Sequence, residues 1–490
     1  VVNVALPAIQ KDLHSSISGL EWTVNAYTLS FAVLLVTGGR LGDIFGRRKM
    51  FLFGVMVFGL SSAFIGLSQS EAWLVAGRAA QGIGAAFMMP ATLSIITNAF
   101  PAHERGKAIG TWAGVSALAL AIGPVVGGFL VENVSWQSIF FLNVPVAALA
   151  VVVTIAATRE SRDESSTHHV DFPGVTAITI GLAALVLALV EGNDRGWGSA
   201  PIVGLLAVSA IGLIAFAIVE RRVVEPMVDF GFFRSRSFLG ANLVAFIVSF
   251  AMLAMFFFLA LYMQNIKDYS PLQAGVRFLP STVVIILVAP ISGRLSDRIG
   301  PRPLMTAGLL IVAGSLFWQG HLAVDTSYSF LIGAFVLMGL GMGLVMSPMS
   351  TAGMNAVEPS KAGVASGILT MSRMVGGTFG VAAMGALITG LGKARINDLL
   401  PGMPAAERAR LADSLGAGGA RVGGKAGAAV QDAFVYALNN GLRIGAAVAV
   451  LGAALAWLLI ADRAEAPAEV GAEGAGGGPA EPQPSLAEVA

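Results

Sequence analysis

The sequence predicts an all-α membrane protein built from two six-helix halves, with two further helices inserted between them. Three observations predict this fold: a high apolar content along the whole chain, repeated apolar stretches of membrane-spanning length, and a loop motif that occurs twice. Of the 490 residues, 56% are hydrophobic and 12% are charged, whereas soluble domains carry about 25% charged residues. This composition excludes a soluble multidomain enzyme and a disordered protein.

Fourteen membrane spans are predicted. A helix that crosses a bilayer needs about 20 mostly apolar residues, and its backbone groups must be paired within the helix. The chain does not begin with Met, and residues 1–9 resemble the second half of a span, so we expect the natural sequence to extend upstream. Full spans are predicted at 22–41, 51–68, 72–97, 108–130, 137–157, 173–190, 201–219, 239–263, 273–291, 304–320, 328–349, 363–391 and 439–461.

Lys and Arg are distributed unequally between the two sets of alternate loops. One set of short loops carries 16 of these residues and the other carries 3. The positive-inside rule places the richer set in the cytoplasm, and with fourteen spans both termini lie there. Segment 392–431 is predicted as a long external loop, and its basic residues are tolerated because long loops cross membranes largely regardless of charge. The Ala-, Gly-, Val- and Arg-rich composition suggests a GC-rich bacterium, so we expect a bacterial cytoplasmic membrane location.

An internal repeat divides the chain. Residues 39–48 (GRLGDIFGRR) recur at 293–302 (GRLSDRIGPR), and farther along Gly106 matches Gly363 at nearly the same offset. Both copies of the motif lie in loops on the same side, so the halves are parallel repeats. The predicted units are the first half at 1–157, the inserted spans at 158–222, the second half at 223–461 and a disordered cytoplasmic tail at 462–490.

Five segments resemble motifs of a known transporter family. Residues 38–48 resemble the loop motif G-x-L-x-D-x-x-G-R-[RK] of the major facilitator superfamily, and residues 74–90 resemble its fourth-span motif. Residues 121–128 (AIGPVVGG) resemble the fifth-span motif of exporters. Residues 2–7 (VNVALP) and 373–377 (RMVGG) are similar to motifs of the fourteen-span drug:proton antiporters. The resemblance implies the major facilitator fold and covers the chain except its tail.

The resemblance also implies a function without enzymatic activity. It implies proton-driven export of hydrophobic or amphipathic drugs or antibiotics by alternating access, with a cationic or zwitterionic substrate expected. The partners are then a small molecule, protons and the lipid bilayer, and a monomer is expected. A dedicated exporter of one metabolite, lipid or peptide remains the first alternative, because a fold does not fix the substrate. A membrane-embedded enzyme is the second; it would need clustered His, Asp or Glu within the spans at one depth, and no acid lies mid-span.

Other partners and cofactors are not predicted. The net charge of +1 argues against nucleic acid, and the absence of cysteine excludes thiolate metal sites. No phosphate-binding loop of the form G-x-x-x-x-G-K-[ST] occurs, so no nucleotide site is expected. His168 and His169 have no third ligand nearby and do not indicate a metal.

The repeated loop contains the first candidate site. Asp43 and Asp297 begin cytoplasmic loops, where a carboxylate can pair with a nearby Arg and cap the N-terminus of a neighbouring helix. Such a contact can hold one conformation of a two-state protein, and the resemblance assigns this loop a gating role. Anchoring by positive charge alone is the alternative for the basic residues. The predicted gating residues are Gly39, Asp43, Gly46, Arg47, Arg48, Asp297 and Arg298.

Arg78 lies inside the fourth span, and the resemblance makes it part of the proton-coupling site. A charge there is costly and functional by default, although it could also extend to the external interface. All 29 acidic residues fall at span ends, in loops or in the tail. Glu21 and Glu132, with Glu191, are the nearest acid candidates. The resembling family places an Asp just upstream of Val1, and we expect the main proton-carrying acid there.

Two further groups of residues are candidates. Gly123, Pro124, Gly127 and Gly128 form the exporter motif, in which small residues and proline bend a helix and allow close approach; ordinary packing is the alternative. The predicted substrate cavity contains polar residues and part of a Met stripe on one helical face, which suits varied apolar ligands, although plain packing is equally compatible. The cavity residues are Asn25, Tyr27, Gln81, Met342, Met346 and Arg373.

Overall fold

The computed structural model describes residues 2–15, 17–164, 171–223, 226–413, 415 and 424–461. These residues form seventeen α-helices and no strand, which confirms the predicted all-α class. The helices are α1 (Val2–Leu13), α2 (Ile17–Phe45), α3 (Arg47–Gly66), α4 (Glu71–Ala99), α5 (Arg105–Asn133), α6 (Ser138–Phe141), α7 (Asn143–Ala157), α8 (Phe172–Arg195), α9 (Ala200–Glu220), α10 (Arg236–Leu261), α11 (Pro271–Arg277), α12 (Leu279–Ile299), α13 (Pro301–Gln319), α14 (Tyr328–Asn355), α15 (Ala362–Leu399), α16 (Ala405–Asp413) and α17 (Gly424–Leu459).

Every predicted span is occupied by helix. Eleven helical segments in the described part of the chain are long and apolar enough to cross a membrane. The other three predicted spans coincide with α1, α5 and α13, of which α1 has only 12 residues. The count of fourteen spans therefore remains a prediction.

Helices extend into segment 392–431, which the sequence predicts as a long loop. Helix α15 continues to Leu399, α16 occupies part of the segment, and α17 begins at Gly424. Arg395 on α15 and Asp432 on α17 form an ion pair with 2.9 Å between Nε and Oδ2. Both side chains are partly exposed. The apolar sequence pattern therefore marks only the part of α15 and α17 expected to lie in the bilayer, and both helices extend beyond it.

The helices form two groups that meet along a repeated interface. In the first group α2 and α3 pack against α4, and in the second α13 packs against α14 and α17 while α10 packs against α15. Helix α5 of the first group lies along α12 of the second, and α15 of the second lies along α2 of the first. Helices α8 and α9 pack on each other, and α8 contacts both α2 and α15.

Glycine pairs set the distance across both interfaces. Gly39 on α2 faces Gly363 on α15, and a Cβ on either residue would clash with the carbonyl oxygen of the other. Gly293 on α12 faces Gly106 on α5 in the same way. These four residues occupy two pairs of matching repeat positions. The close approach of the helix backbones is therefore present twice and explains why glycine is required there.

Several sequence predictions fall on parts of the chain that the structure does not describe. They are the tail at 462–490, the pair His168 and His169, and the side chains of Glu21 and Pro124.

Candidate functional site

Asp43 joins the two helix groups at the end of the bundle that we call the basic face, where α2 and α12 end and α5 and α15 begin. Its carboxylate is completely buried. Oδ1 accepts a hydrogen bond of 2.8 Å from the backbone N–H of Gly363, and Oδ2 accepts one of 2.8 Å from that of Val364. These amides belong to the first turn of α15, where a helix has unpaired N–H groups and a partial positive charge. Asp43 therefore caps α15 from the other half of the molecule.

Arg47 completes this contact. It lies one turn beyond Asp43, is 1% exposed, and donates from Nε and Nη2 to Oδ1 of Asp43 at 3.0 and 2.7 Å. Nη2 also donates to the carbonyl oxygens of Pro359 and Ser360, which precede α15. The guanidinium thus neutralises the buried carboxylate and binds the backbone of the opposite half.

Arg48 contributes through its backbone rather than its charge. The N–H groups of Arg48 and Lys49 donate to the carboxylate of Glu160, at 3.0 and 3.2 Å. Glu160 follows α7 and caps α3, and it lies against Gly46, whose φ of 113° favours glycine. No sequence pattern indicates Glu160, because the contact joins segments more than 100 residues apart.

Asp297 makes the reciprocal contact. Its two carboxylate oxygens accept hydrogen bonds of 2.9 Å from the backbone N–H groups of Gly106 and Lys107, in the first turn of α5. A cavity of about 380 Å³ opens beside it, and Asp297 is only half-buried. The repeat position of Arg47 is occupied by Pro301, which has no charge. Arg298 is exposed and has no hydrogen-bond or ion-pair partner among the described residues, so the second contact is the weaker one.

Arg78 is held by neutral partners within the first half. It is 7% exposed; Nε donates to the carbonyl oxygen of Thr23 at 2.9 Å, and Nη1 donates to Oε1 of Gln81 at 2.6 Å. Its guanidinium lies 4.3 Å from the centre of the Tyr27 ring, a favourable arrangement for a cation. Nε2 of Gln81 in turn donates a hydrogen bond of 2.7 Å to Oγ of Ser62. Three of the predicted residues are therefore in one network between α2, α3 and α4.

The other residues predicted for coupling and substrate binding are not in this network as described. Asn25 is half-buried and has no described hydrogen bond. Glu132 is exposed near the end of α5 and makes no described ion pair with Arg78. In the exporter motif, Gly127 and Gly128 are buried and lie within a helix that is continuous from Arg105 to Asn133.

The Met stripe lies in the packed interior of the second half. Met338, Met342 and Met349 are completely buried in its hydrophobic core, and Met346 is half-buried against the same core. In this conformation Met342 borders no open space. Helix packing, the alternative explanation, accounts for the three buried members.

Two charges in the second half differ in their surroundings. Arg443 is exposed, and its Nε donates to the carbonyl oxygen of Gly320 at 3.0 Å. The side chain of Arg443 extends from α17 to the C-terminal end of α13, where a long side chain can reach the polar surface of the bilayer. Arg373 is half-buried within α15 and has no hydrogen-bond or ion-pair partner in the described part of the chain.

The buried Glu220 and the half-buried Asp171 lie together between the inserted helices, a contact that was not predicted. Glu220 is 3% exposed, and its Oε2 accepts a hydrogen bond of 3.0 Å from the N–H of Val228. Its Oε1 and Oδ2 of Asp171 have no described partner, and both lie against the position that a Cβ on Gly174 would take. The charge of Arg40 acts on the Glu220 carboxyl. Only the fold brings these two acids together, since they are 49 positions apart.

Comparison with known proteins identifies the family. The model of the Major Facilitator Superfamily matches residues 1–381. This protein belongs to the major facilitator superfamily. Solved structures of other transporters share its fold: the human organic anion transporter MFSD10 (TM-score 0.60, 15% identity, covering 93% of this chain and 89% of that one) and the proton:xylose symporter XylE (TM-score 0.60, 15% identity, 93% and 90%).

Curated relatives of this major facilitator protein are named for resistance and export. It is 34% identical to the tetracenomycin C resistance and export protein of Streptomyces glaucescens, over 93% of this chain and 87% of that one. It is 36% identical to the puromycin resistance protein pur8 of Streptomyces alboniger, over 96% and 90%. It is also 36% identical to the multidrug resistance protein Stp of Mycobacterium tuberculosis, over 79% and 72%. Together with the apolar helices, this membership makes the chain a multi-pass membrane transporter.

Proposed function

We propose that this protein exports antibiotics or other amphipathic drugs across the bacterial cytoplasmic membrane in exchange for protons, by alternating access. The observation that carries the proposal is the pair of reciprocal contacts from Asp43 to α15 and from Asp297 to α5. The names of the relatives support drugs as the substrate class. Both termini and the basic face would then lie in the cytoplasm, as the positive-inside rule predicts.

The contacts at the basic face would act as the cytoplasmic gate. Opening this face separates α2 from α15 and α5 from α12, so it must break four hydrogen bonds between carboxylate and backbone amide. Hydrogen bonds to charged groups contribute about 1.5–3 kcal/mol each. The carboxylates and helix ends stay close while the face is closed and are hydrated when it opens. This gives two discrete states whose balance a substrate or proton can shift.

Arg78 would link this balance to protons. Its described partners are neutral: a carbonyl oxygen, an amide and a phenol ring. Its charge therefore remains available to a carboxyl group that approaches during the cycle and would favour the ionised form of that group. Glu21 and Glu132 remain the acid candidates within this chain.

A dedicated exporter of one compound remains the second candidate. Two relatives that cover more than nine-tenths of this chain are named for a single antibiotic, tetracenomycin C or puromycin. A resistance profile restricted to one compound would favour this candidate. Resistance to several unrelated compounds would favour a multidrug exporter.

The test is accumulation of fluorescent drugs in a bacterial strain that lacks its own efflux pumps. Expression of the protein should lower accumulation, and a protonophore should abolish that effect. Accumulation that is the same with and without the protein would contradict export. Efflux that persists after the proton gradient has collapsed would contradict proton coupling.

A further inference from the structure

Arg373 is an unpartnered cation inside the membrane domain. Among the described residues it forms no hydrogen bond, ion pair or ring contact, and no charged group acts on it. The Arg373 side chain is half-buried, so part of it remains accessible and is not enclosed by packed core.

The position of Arg373 along α15 places its side chain between the two halves. Ser366 lies seven residues earlier, on the same face of the helix, and its Oγ donates to the carbonyl oxygen of Pro90 on α4 at 2.8 Å. One turn after Arg373, a Cβ on Gly376 would clash with Phe246 of α10. The face that carries Arg373 thus lies between α4 of the first half and α10 of the second.

The depth of Arg373 is close to the middle of the bilayer. Helix α15 begins at Ala362 on the basic face, eleven residues before Arg373. At 1.5 Å per residue this is about 16 Å along the helix axis, against a hydrocarbon thickness of about 30 Å. The position matches the midplane substrate site of carriers built from two repeats.

Arg373 differs from Arg78 in the acceptors available to its guanidinium. Arg78 donates to Thr23 and Gln81 and lies over Tyr27, so two of its donors and its ring-facing side are occupied without an added ligand. Arg373 has no described acceptor. An unpaired buried charge is expensive unless a partner of opposite charge is supplied.

The described protein supplies no such partner at this depth. The acids of the neighbouring spans, among them Asp43, Glu71 and Asp297, all lie near helix ends. Ser372, directly before Arg373, donates its hydroxyl hydrogen to Oδ1 of Asn242 on α10 at 3.0 Å. Met371 and Met374 are half-buried and pack against hydrophobic clusters. The free guanidinium therefore lies beside apolar side chains.

We propose that Arg373 binds an anionic group of the transported compound, so that the substrates are apolar scaffolds bearing a carboxylate, phenolate or enolate. The planar guanidinium fork suits two parallel hydrogen bonds to such a group. This proposal rests on the export function proposed above and replaces the sequence-based expectation of a cationic or zwitterionic substrate. A cationic compound would place two like charges together in a site of low polarity.

Two dyes with the same ring system provide the test. Fluorescein carries a carboxylate and a phenolate on a xanthene scaffold, whereas rhodamine 6G is a cation on the same scaffold. Binding of each dye to the purified protein is measured by fluorescence anisotropy. We expect tighter binding of fluorescein and a loss of about tenfold or more in Arg373→Gln. Arg373→Lys should lose less, because it keeps the charge without the fork.

Arg443→Gln is the matched control, since Arg443 lies in the same half and is exposed. It should leave both affinities unchanged, and a melting curve for each variant separates loss of binding from loss of folding. Equal affinity for both dyes, no binding of either dye, or an unchanged fluorescein affinity in folded Arg373→Gln overturns the proposal. Cellular efflux separates failure of the anion site from failure of the export function. Export of rhodamine 6G without fluorescein binding refutes the anion site and leaves export intact. Absence of any drug efflux refutes export itself.

Discussion

Asp43 and Gly363 are joined by a 2.8 Å hydrogen bond between halves of the chain that are 320 positions apart. The same contact occurs in the opposite direction between Asp297 and Gly106. Each half thus provides the carboxylate for one contact and the helix N-terminus for the other. Duplication of one ancestral unit accounts for this arrangement, because each half then has one copy of the loop motif and one copy of the glycine at the helix start.

Asp43→Asn should leave the protein inserted in the membrane but slow efflux. Asparagine has one acceptor oxygen, so it loses one amide hydrogen bond and the ion pair with Arg47. Asp297→Asn should have a smaller effect, because Asp297 is half-buried and has no described arginine partner. Drug efflux by equal amounts of each variant measures the effect. Equal, wild-type efflux from Asp43→Asn would rule out the gate.

Thiol labelling can show directly whether the basic face opens. The chain has no cysteine, so a Ser366→Cys reporter at the buried interface with Pro90 is the only thiol. Asp43→Asn should label faster than the reporter alone. Asp398→Asn is the control, because Asp398 is exposed near the end of α15. Equal labelling rates for all three proteins would mean that Asp43 does not hold this face closed.

Gly39→Ala should destabilise the closed basic face. The added methyl group would clash with the carbonyl oxygen of Gly363, and Gly293→Ala should do the same against Gly106. Gly42→Ala is a control within the same motif, since a Cβ there meets no atom within 4 Å. Thermal melting of the purified proteins provides the measurement. A Gly39→Ala protein as stable as Gly42→Ala would show that the helices can separate without cost.

Arg78→Ala should abolish proton-driven efflux, whereas Arg78→Lys should retain part of it. Lysine keeps the charge but cannot reach Thr23 and Gln81 together with a planar fork. Efflux from proteoliposomes with an imposed pH gradient tests both variants. Wild-type transport by Arg78→Ala would mean that Arg78 only anchors its helix at the interface.

Glu220→Gln should raise the melting temperature. The side chain would keep an oxygen for the N–H of Val228 and could turn its amide group toward the unpaired oxygen of Asp171. It would also remove the repulsion between the carboxylates of Glu220 and Asp171. Glu407→Gln, on the exposed part of α16, is the control and should have no effect. A melting temperature lowered by Glu220→Gln would mean that the Glu220 carboxylate stabilises the fold through its interaction with Arg40.

The sequence by itself determined the helices and the repeat. Apolar stretches of sufficient length specify membrane helices wherever they occur, because the unpaired backbone has no alternative in lipid. The recurrence of the motif around Asp43 and Asp297 located both carboxylates at the basic face. These properties are local, so they can be recognised without knowing which segments meet.

The tertiary structure decided which groups are satisfied. Only packing shows that Asp43 caps α15, that Glu160 caps α3, and that Glu220 meets Asp171. Packing also distinguishes charges that look alike in the sequence: Arg78 has acceptors, whereas Arg373 has none among the described residues. The free energy of a buried polar group depends on partners that are hundreds of positions away in the chain. For this reason local pattern identifies the helices, and the three-dimensional arrangement determines what their side chains can do.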